Sequence, residues 1–85
     1  MDAVKVEDGA RQVYEGLLVI AQEIPNLTFR QNIEHLAGIC SSSLFSDSPI
    51  MARLAESNPE YEEAYKRAAK VASEYRAKLH QVVNS

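Results

Sequence analysis

Two histidines and one cysteine are the side chains of this 85-residue sequence best suited to catalysis or metal binding. His35 and Cys40 are five residues apart, which on a helix separates them by about 140° and places them badly for a Cys–His pair. His80 lies far along the chain, and neither histidine belongs to a Glu-x-x-His or His-Glu-x-x-His metal motif. We therefore expect no enzyme, no metal and no cofactor, with Cys40 in the core and His35 at the surface.

The carboxylates near the C-terminus also predict a solvated helix face rather than a catalytic site. Glu62 and Glu63 each precede a base by four residues, Lys66 and Arg67, a spacing that gives ion pairs on one helix. The net charge of −3 disfavours broad attraction to nucleic acid. One cysteine cannot form an internal disulfide, and no apolar run approaches the ~20 residues of a membrane span. We expect a cytoplasmic protein that is not associated with membranes.

The elements that must position these residues are predicted to be helices throughout. Pro25 ends the first helix, Thr28 opens the second with a capping box, and Ser48-Pro49 and Asn58-Pro59 open the last two. The fold class is all-α: a small bundle or orthogonal array of three longer helices and a short one. Residues 1–85 form a single domain with a flexible tail and four helices, predicted at 1–7, 8–24, 28–40, 49–56 and 59–83.

Apolar spacing predicts which side of each helix is buried. In helix 1 the core face carries Ala10, Val13, Leu17, Ile20 and Ile24, widened by Tyr14, Leu18 and Ala21. In helix 2 it carries Phe29, Ile33, Leu36 and Cys40, and in helix 3 it carries Ile50, Met51 and Leu54. Leu44 and Phe45 are expected to plug the core from the connection.

Helix 4 carries an apolar seam at heptad spacing, which is typical of a helix that lies along a partner. Its residues are Tyr61, Tyr65, Ala68, Ala72, Tyr75, Leu79 and Val82. A helix of 25 residues is about 37 Å long, whereas a globule of this size is only about 25 Å across. The seam is therefore predicted to extend past the chain's own core, and three tyrosines suit an interface.

Helix 1 raises the same question, because its segment 17–21 is apolar nearly all round. We expect Leu18 and Val19 to contact a second chain, together with the seam. The alternative is a monomer in which helices 1 and 2 cover the whole seam.

Residues 33–44 contain the pattern Ala37-Gly38-Ile39 followed by Ser41–Ser43. The segment resembles the helix-turn-helix of bacterial repressors, in which a small residue and a glycine form the turn before a polar recognition helix. That resemblance implies a DNA-binding regulator. Glu34 stands where the motif has a small residue, and Asp47 stands where it has a buried aliphatic residue. The segment 41–48 also lacks a basic residue for phosphate contacts.

The sequence therefore predicts a non-enzymatic protein–protein interaction module, such as a regulatory adaptor, an inhibitor or an accessory protein. Its partner is another protein or a second copy of the chain, and self-association through the helix 4 seam is favoured. The alternative is the helix-turn-helix DNA-binding regulator.

Overall fold

Four α-helices make up 90% of the part of the chain that the structure describes, which contains no strand. The structure is a computed structural model, and it describes residues 1–44 and 49–85, without the side chains of Leu44, Pro49, Met51 and Ala55. The helices are α1 (Ala3–Glu23), α2 (Leu27–Leu44), α3 (Pro49–Ser57) and α4 (Pro59–Val83). The predicted all-α class with a long C-terminal helix is confirmed.

The ends of α4 lie where the sequence places them. Asn58 is the N-cap, and its side-chain oxygen accepts a hydrogen bond from the Glu60 N–H at 3.0 Å. Pro59 occupies the first helical turn, where its missing N–H costs no hydrogen bond. The predicted ion pairs are present, with Lys66 Nζ 2.9 Å from Glu62 and Arg67 Nη2 3.0 Å from Glu63.

Helix α1 begins at Ala3, five residues before the predicted start, so the predicted flexible tail 1–7 is helical from its third residue. Asp2 is the cap that the sequence reading overlooked, because its carboxylate accepts hydrogen bonds from the N–H groups of Val4 and Lys5. Asp8, at which helix 1 is predicted to begin, lies inside the helix and pairs with Arg11 at 3.2 Å.

Helix α2 is longer than predicted at both ends. Asn26, not Thr28, caps its start by accepting a hydrogen bond from the Phe29 N–H at 2.9 Å. Its end is Leu44 rather than residue 40, and Ser41 stays helical while its hydroxyl donates to the Ala37 carbonyl at 2.9 Å. The helix-turn-helix resemblance is not accompanied by a turn at Ala37 and Gly38, because both lie inside one continuous helix, as they do in the predicted helix 28–40.

Helix α4 is the element on which the others pack. Helix α1 runs along much of it, while α2 and α3 contact it over shorter stretches. The core shared by α1, α2 and α4 is rich in alanine, which allows the helices to approach closely. Its members are Ala10, Tyr14, Ala21, Ala37, Ala68, Val71, Ala72, Tyr75 and Leu79. The Cα atoms extend 43 × 23 × 13 Å, and their radius of gyration of 13.6 Å exceeds the roughly 12 Å of a compact domain of this length.

Polar contacts join α1 to α2. The Tyr14 hydroxyl of α1 lies 2.9 Å from the Ser41 hydroxyl of α2, which itself donates to a carbonyl, so Tyr14 is the donor. The Arg30 guanidinium of α2 donates to the carbonyls of Ala21 and Ile24 at 2.7 and 3.1 Å. These contacts join α1 and α2 near both ends of their shared length.

A charged contact fixes the start of α1 against α4. Arg67 Nη1 donates to the Glu7 carboxylate at 3.1 Å, and Arg11 donates to the same group at 3.2 Å. The hydrogen bond from Arg67, together with that from Arg11, lowers the pKa of Glu7 although its partial burial acts in the opposite direction. Glu7 therefore marks the side of α1 that faces α4.

Helix α3 departs from its predicted burial. Ile50 is 72% exposed and Leu54 46% exposed, so neither is the core residue that the sequence predicts. A nine-residue helix joined to α4 through Asn58 alone has little freedom to turn its apolar side onto a core already filled by α1. The predictions for Phe45 and Ser48, and for the side chains of Leu44 and Met51, lie outside the described residues.

Candidate protein-interaction surface

The structure divides the predicted α4 seam between core and surface. Ala68, Ala72, Tyr75 and Leu79 are buried within the chain, so a partner cannot reach them in this fold. The physical reason is that α1, at 21 residues, is long enough to cover the middle of α4 by itself. Of the remaining seam residues Tyr65 and Val82 are half-buried, and Tyr61 is exposed.

The two residues predicted on α1 also have different positions. Leu18 is half-buried and packs against the core, whereas Val19 is 48% exposed. Of the nine residues predicted at an interface, five are exposed or half-buried. They are Leu18, Val19, Tyr61, Tyr65 and Val82.

Most of the stripe predicted as the core face of α1 lies at the surface instead. Val13 is 55% exposed and Ile20 43% exposed, Ile24 is also exposed, and Leu17 is half-buried. The other predicted members, Ala10, Tyr14 and Ala21, are buried as predicted, and they pack in the core with residues of α4 and α2. Helix α1 therefore has two apolar stripes, and the chain buries only one of them.

The exposed stripe of α1 lies to one side of the helix face that contacts α4. Each residue advances the helix by about 100°, so Val13, Ile20 and Ile24 lie between about 100° and 140° around the axis from Glu7. The same geometry places Ile24 about 40° and Val13 about 60° around the axis from the buried Ala10, so these aliphatic side chains point to one flank of α1, beside its buried stripe.

Helix α2 also carries apolar side chains on its side away from α4. Its Glu34 carboxylate lies 2.7 Å from His80 Nδ1 of α4 and so marks the side of α2 that faces α4. Leu36, which is exposed, lies about 160° around the helix from Glu34, and half-buried Phe29 lies about 140° from it. We define the apolar face as Val13, Leu17, Ile20, Ile24, Phe29 and Leu36.

The α1 members of the apolar face form an arc that contains no charged side chain, and the charged residues Lys5 and Glu23 border this arc. At about 100° per residue both lie about 60° around α1 from Ile20 and about 20° from Gly16. Gly9 and Gly16 are the other members of this side, and both are exposed. A Cβ added to either glycine would meet no described atom of the chain within 4 Å, beyond its own helix backbone and chain neighbours.

The exposed area agrees with an incompletely covered fold. The chain exposes 5566 Å², whereas a compact monomer of 9.5 kDa exposes about 5,000 Å². The excess is on the order of 500 Å², and one partner in a stable complex buries about 800 Å².

A second surface, between α2 and α4, is polar. An open cleft of about 600 Å³ is lined by residues that include Glu34, His35, Ser42 and Arg76. The Arg76 guanidinium lies over Gly38, where an added Cβ would be 3.5 Å from its Nη2. His80 is engaged with Glu34 as an inter-helix contact, and it lies on a different helix from His35.

Metal binding finds no support in residues 1–44 and 49–85, where no three His, Cys, Asp or Glu side chains come together as ligands. Cys40 is half-buried and contacts the core, as predicted, and His35 is exposed, as predicted. Within the same residues, none of the helices combines the length and apolar character needed to cross a lipid bilayer.

Comparison with known proteins adds no family. The chain matches none of the protein-family models, curated proteins or solved structures with which it was compared.

The apolar face was missed in the sequence. The spacing that predicts a helix face is shared by both stripes of α1, since Ala10, Tyr14 and Ala21 recur as regularly as Val13 and Ile20. Hydrophobicity alone favours the larger aliphatic side chains as the core.

Proposed function

We propose that this chain is a non-enzymatic protein–protein interaction module that binds its partner through the apolar face of α1 and α2. The observation that carries the proposal is the exposure of Val13, Ile20 and Ile24 along one side of α1, together with the exposure of Leu36 on α2. A thin fold in which α1 and α2 both pack on α4 leaves this side without a covering layer.

The shape of the surface favours a protein partner over a small molecule. From Val13 to Ile24 the exposed stripe runs for about 16 Å along α1, and small ligands instead bind in concave pockets that enclose most of their surface. Burying the exposed half of Val13 or Ile20 would contribute about 1 kcal/mol each. Several such side chains together give an interface of useful affinity.

We also propose that the chain is not an enzyme and that it is located in the cytoplasm. Support for the first is the separation of His35, Cys40 and His80 from any shared site. Support for the second is Cys40 itself, a free thiol in a sequence with no other cysteine, which suits a reducing compartment. The DNA-binding alternative has lost the turn on which it depended, and we do not propose it.

The experiment compares two sets of variants in the source cells. Val13→Gln with Ile20→Gln removes apolar area from the proposed face, and Val19→Gln removes a similarly exposed valine from another side of the same helix. All three positions are exposed, so the folded state should be retained and is checked by circular dichroism. The readout is the size at which the chain migrates when a cell extract is fractionated.

The wild-type chain and Val19→Gln are expected to migrate as an assembly larger than 9.5 kDa. The double variant is expected to migrate as a free monomer. A wild-type chain that is already monomeric in the extract would contradict the proposal, and so would a double variant that migrates with the wild type.

A further inference from the structure

We propose that the cleft between α2 and α4 binds a phosphoryl group, carried by inorganic phosphate or by a small phosphate monoester, with the Arg76 guanidinium as its anchor. The site is separate from the apolar face, since Gly38, which lines the cleft, lies about 180° around α2 from Phe29. The inference draws on three observations: the placement of Arg76, the hydrogen-bond donors beside it and the pairing of the carboxylate that lines the cleft.

The Arg76 side chain reaches across from α4 to α2. Its Nη2 lies 3.5 Å from the point that a Cβ on Gly38 would occupy, which places the guanidinium over the α2 backbone. Arg76 also lines the cleft itself, of about 600 Å³, which has room for a phosphoryl group. Because the residue is exposed, a ligand in solution can reach it.

The Arg76 guanidinium makes no ion pair or hydrogen bond with residues 1–44 and 49–85. The other arginines of α1, α2 and α4 are engaged, since Arg11 and Arg67 pair with carboxylates and Arg30 donates to backbone carbonyls. A guanidinium presents five N–H donors in a planar fork that matches two oxygens of a phosphoryl group. The fork of Arg76 is therefore available to an oxyanion from outside the chain.

Polar side chains of α2 line the same cleft. Gln31, His35 and Gly38 follow one another at spacings of four and three residues, so they share one flank of the helix. The Gln31 amide has two N–H donors, and the His35 ring has one when neutral and two when protonated. Donors from two helices therefore converge on the cleft. A phosphoryl group, with three terminal oxygens, accepts from more of them than a carboxylate with two.

The carboxylate that lines the cleft is paired with a different base. Glu34 lies 2.7 Å from His80 Nδ1, and it forms no ion pair with Arg76. Protonated His80 neutralises Glu34 and leaves the positive charge of Arg76 uncompensated in the cleft. The charge of the site therefore favours an anion over a cation.

The test is an NMR titration of the isotope-labelled full-length chain with inorganic phosphate, at constant pH and with chloride adjusted to keep the ionic strength fixed. The amides of His35 and Gly38 and the side chain of Arg76 are expected to shift and to reach saturation. Because the cleft is open to solvent, we expect a dissociation constant on the order of 1 mM. Glycerol phosphate, titrated in the same way, distinguishes the two sources: tighter binding than that of inorganic phosphate assigns the site to a monoester, and weaker binding assigns it to the free anion.

Variants of two arginines show whether the cleft is the binding site. Arg76→Gln is expected to weaken phosphate binding about tenfold or more, and Arg76→Lys, which keeps the charge but loses the fork, is expected to bind with an intermediate affinity. Arg53→Gln is the matched control, because Arg53 is an exposed arginine on α3 that does not line the cleft, and it should bind like the wild type. Both positions are exposed, so the variants should retain the fold, which circular dichroism checks.

A wild-type chain that shows no saturable shifts at His35, Gly38 and Arg76 would overturn the inference. Equal phosphate affinity in the wild type and Arg76→Gln would overturn it as well, as would an equal loss of affinity in Arg53→Gln. Acetate is the last comparison, and acetate that binds as tightly as phosphate would contradict the assignment of a phosphoryl group.

Discussion

Replacing Tyr75 by alanine should destabilise the monomer rather than weaken an interface. The ring is only 9% exposed and packs in the core with Ala72 and Leu79, between α4 and its covering helix. Truncating a core aromatic residue to alanine costs about 3–5 kcal/mol, because the removed contacts leave a cavity. A domain of 85 residues has a total stability of about 4–13 kcal/mol. The variant should therefore lose a large share of its stability.

The control for this prediction is Tyr61→Ala, which removes the same side chain from the same helix and seam. Tyr61 is 42% exposed, so its loss should cost less than about 1 kcal/mol. The measurement is urea unfolding of each variant by circular dichroism at a concentration low enough to keep the chain monomeric. Similar midpoints for the two variants would refute the placement of Tyr75, and so would an unchanged Tyr75→Ala midpoint accompanied by loss of self-association.

Two further variants test the contacts that order the helices. Tyr14→Phe should lower the free energy of unfolding by about 1 kcal/mol, because it removes the hydrogen bond to Ser41. Burial raises the pKa of Tyr14, so above about pH 10 this tyrosine ionises in the unfolded chain before it ionises in the folded chain. The wild-type chain should therefore lose stability as the pH rises above about 10. Urea unfolding over that range should show a smaller loss of stability for Tyr14→Phe. The hydrogen bond from Arg67 lowers the pKa of the Glu7 carboxyl below its ordinary 4.5. The stability that the ionised Glu7 contributes to the fold is therefore fully present above pH 4.5 and is lost as the pH falls through the lowered pKa. The midpoint difference between the wild type and Glu7→Gln should follow this course; a difference independent of pH would contradict it.

The sequence was sufficient for the helices and much of their ends because those features are local. Proline and a side-chain cap fix the start of α4 within three neighbouring residues, and both are recognisable in Asn58-Pro59. The start of α1 was missed for a local reason too: Asp2 and Asp8 are both acceptable caps, and the choice depends on whether the residues between them gain contacts. Glu7 gains such a contact with Arg67, which is 60 residues away in sequence.

The choice between the two stripes of α1 could not be predicted from periodicity. Val13 and Tyr14 begin stripes of similar regularity, and only the packing partner decides which one is buried. Tyr14 belongs to the same core cluster as Ala68 and Ala72 of α4, and its hydroxyl reaches Ser41 on α2. The seam on α4 was recognised as a helix-contacting surface, but its partner in the middle of the helix is α1 of the same chain.

A photoactivatable side chain introduced at position 13 tests the interaction surface most directly. With the same group at position 19 as the control, irradiation of the source cells should join a protein to position 13 and leave position 19 free. An adduct with a second copy of the chain would show self-association through this face, and an adduct with a different protein would show that the partner is another chain. No protein adduct at position 13, or equal adducts at both positions, would contradict the assignment of the apolar face as the place where this chain meets its partner.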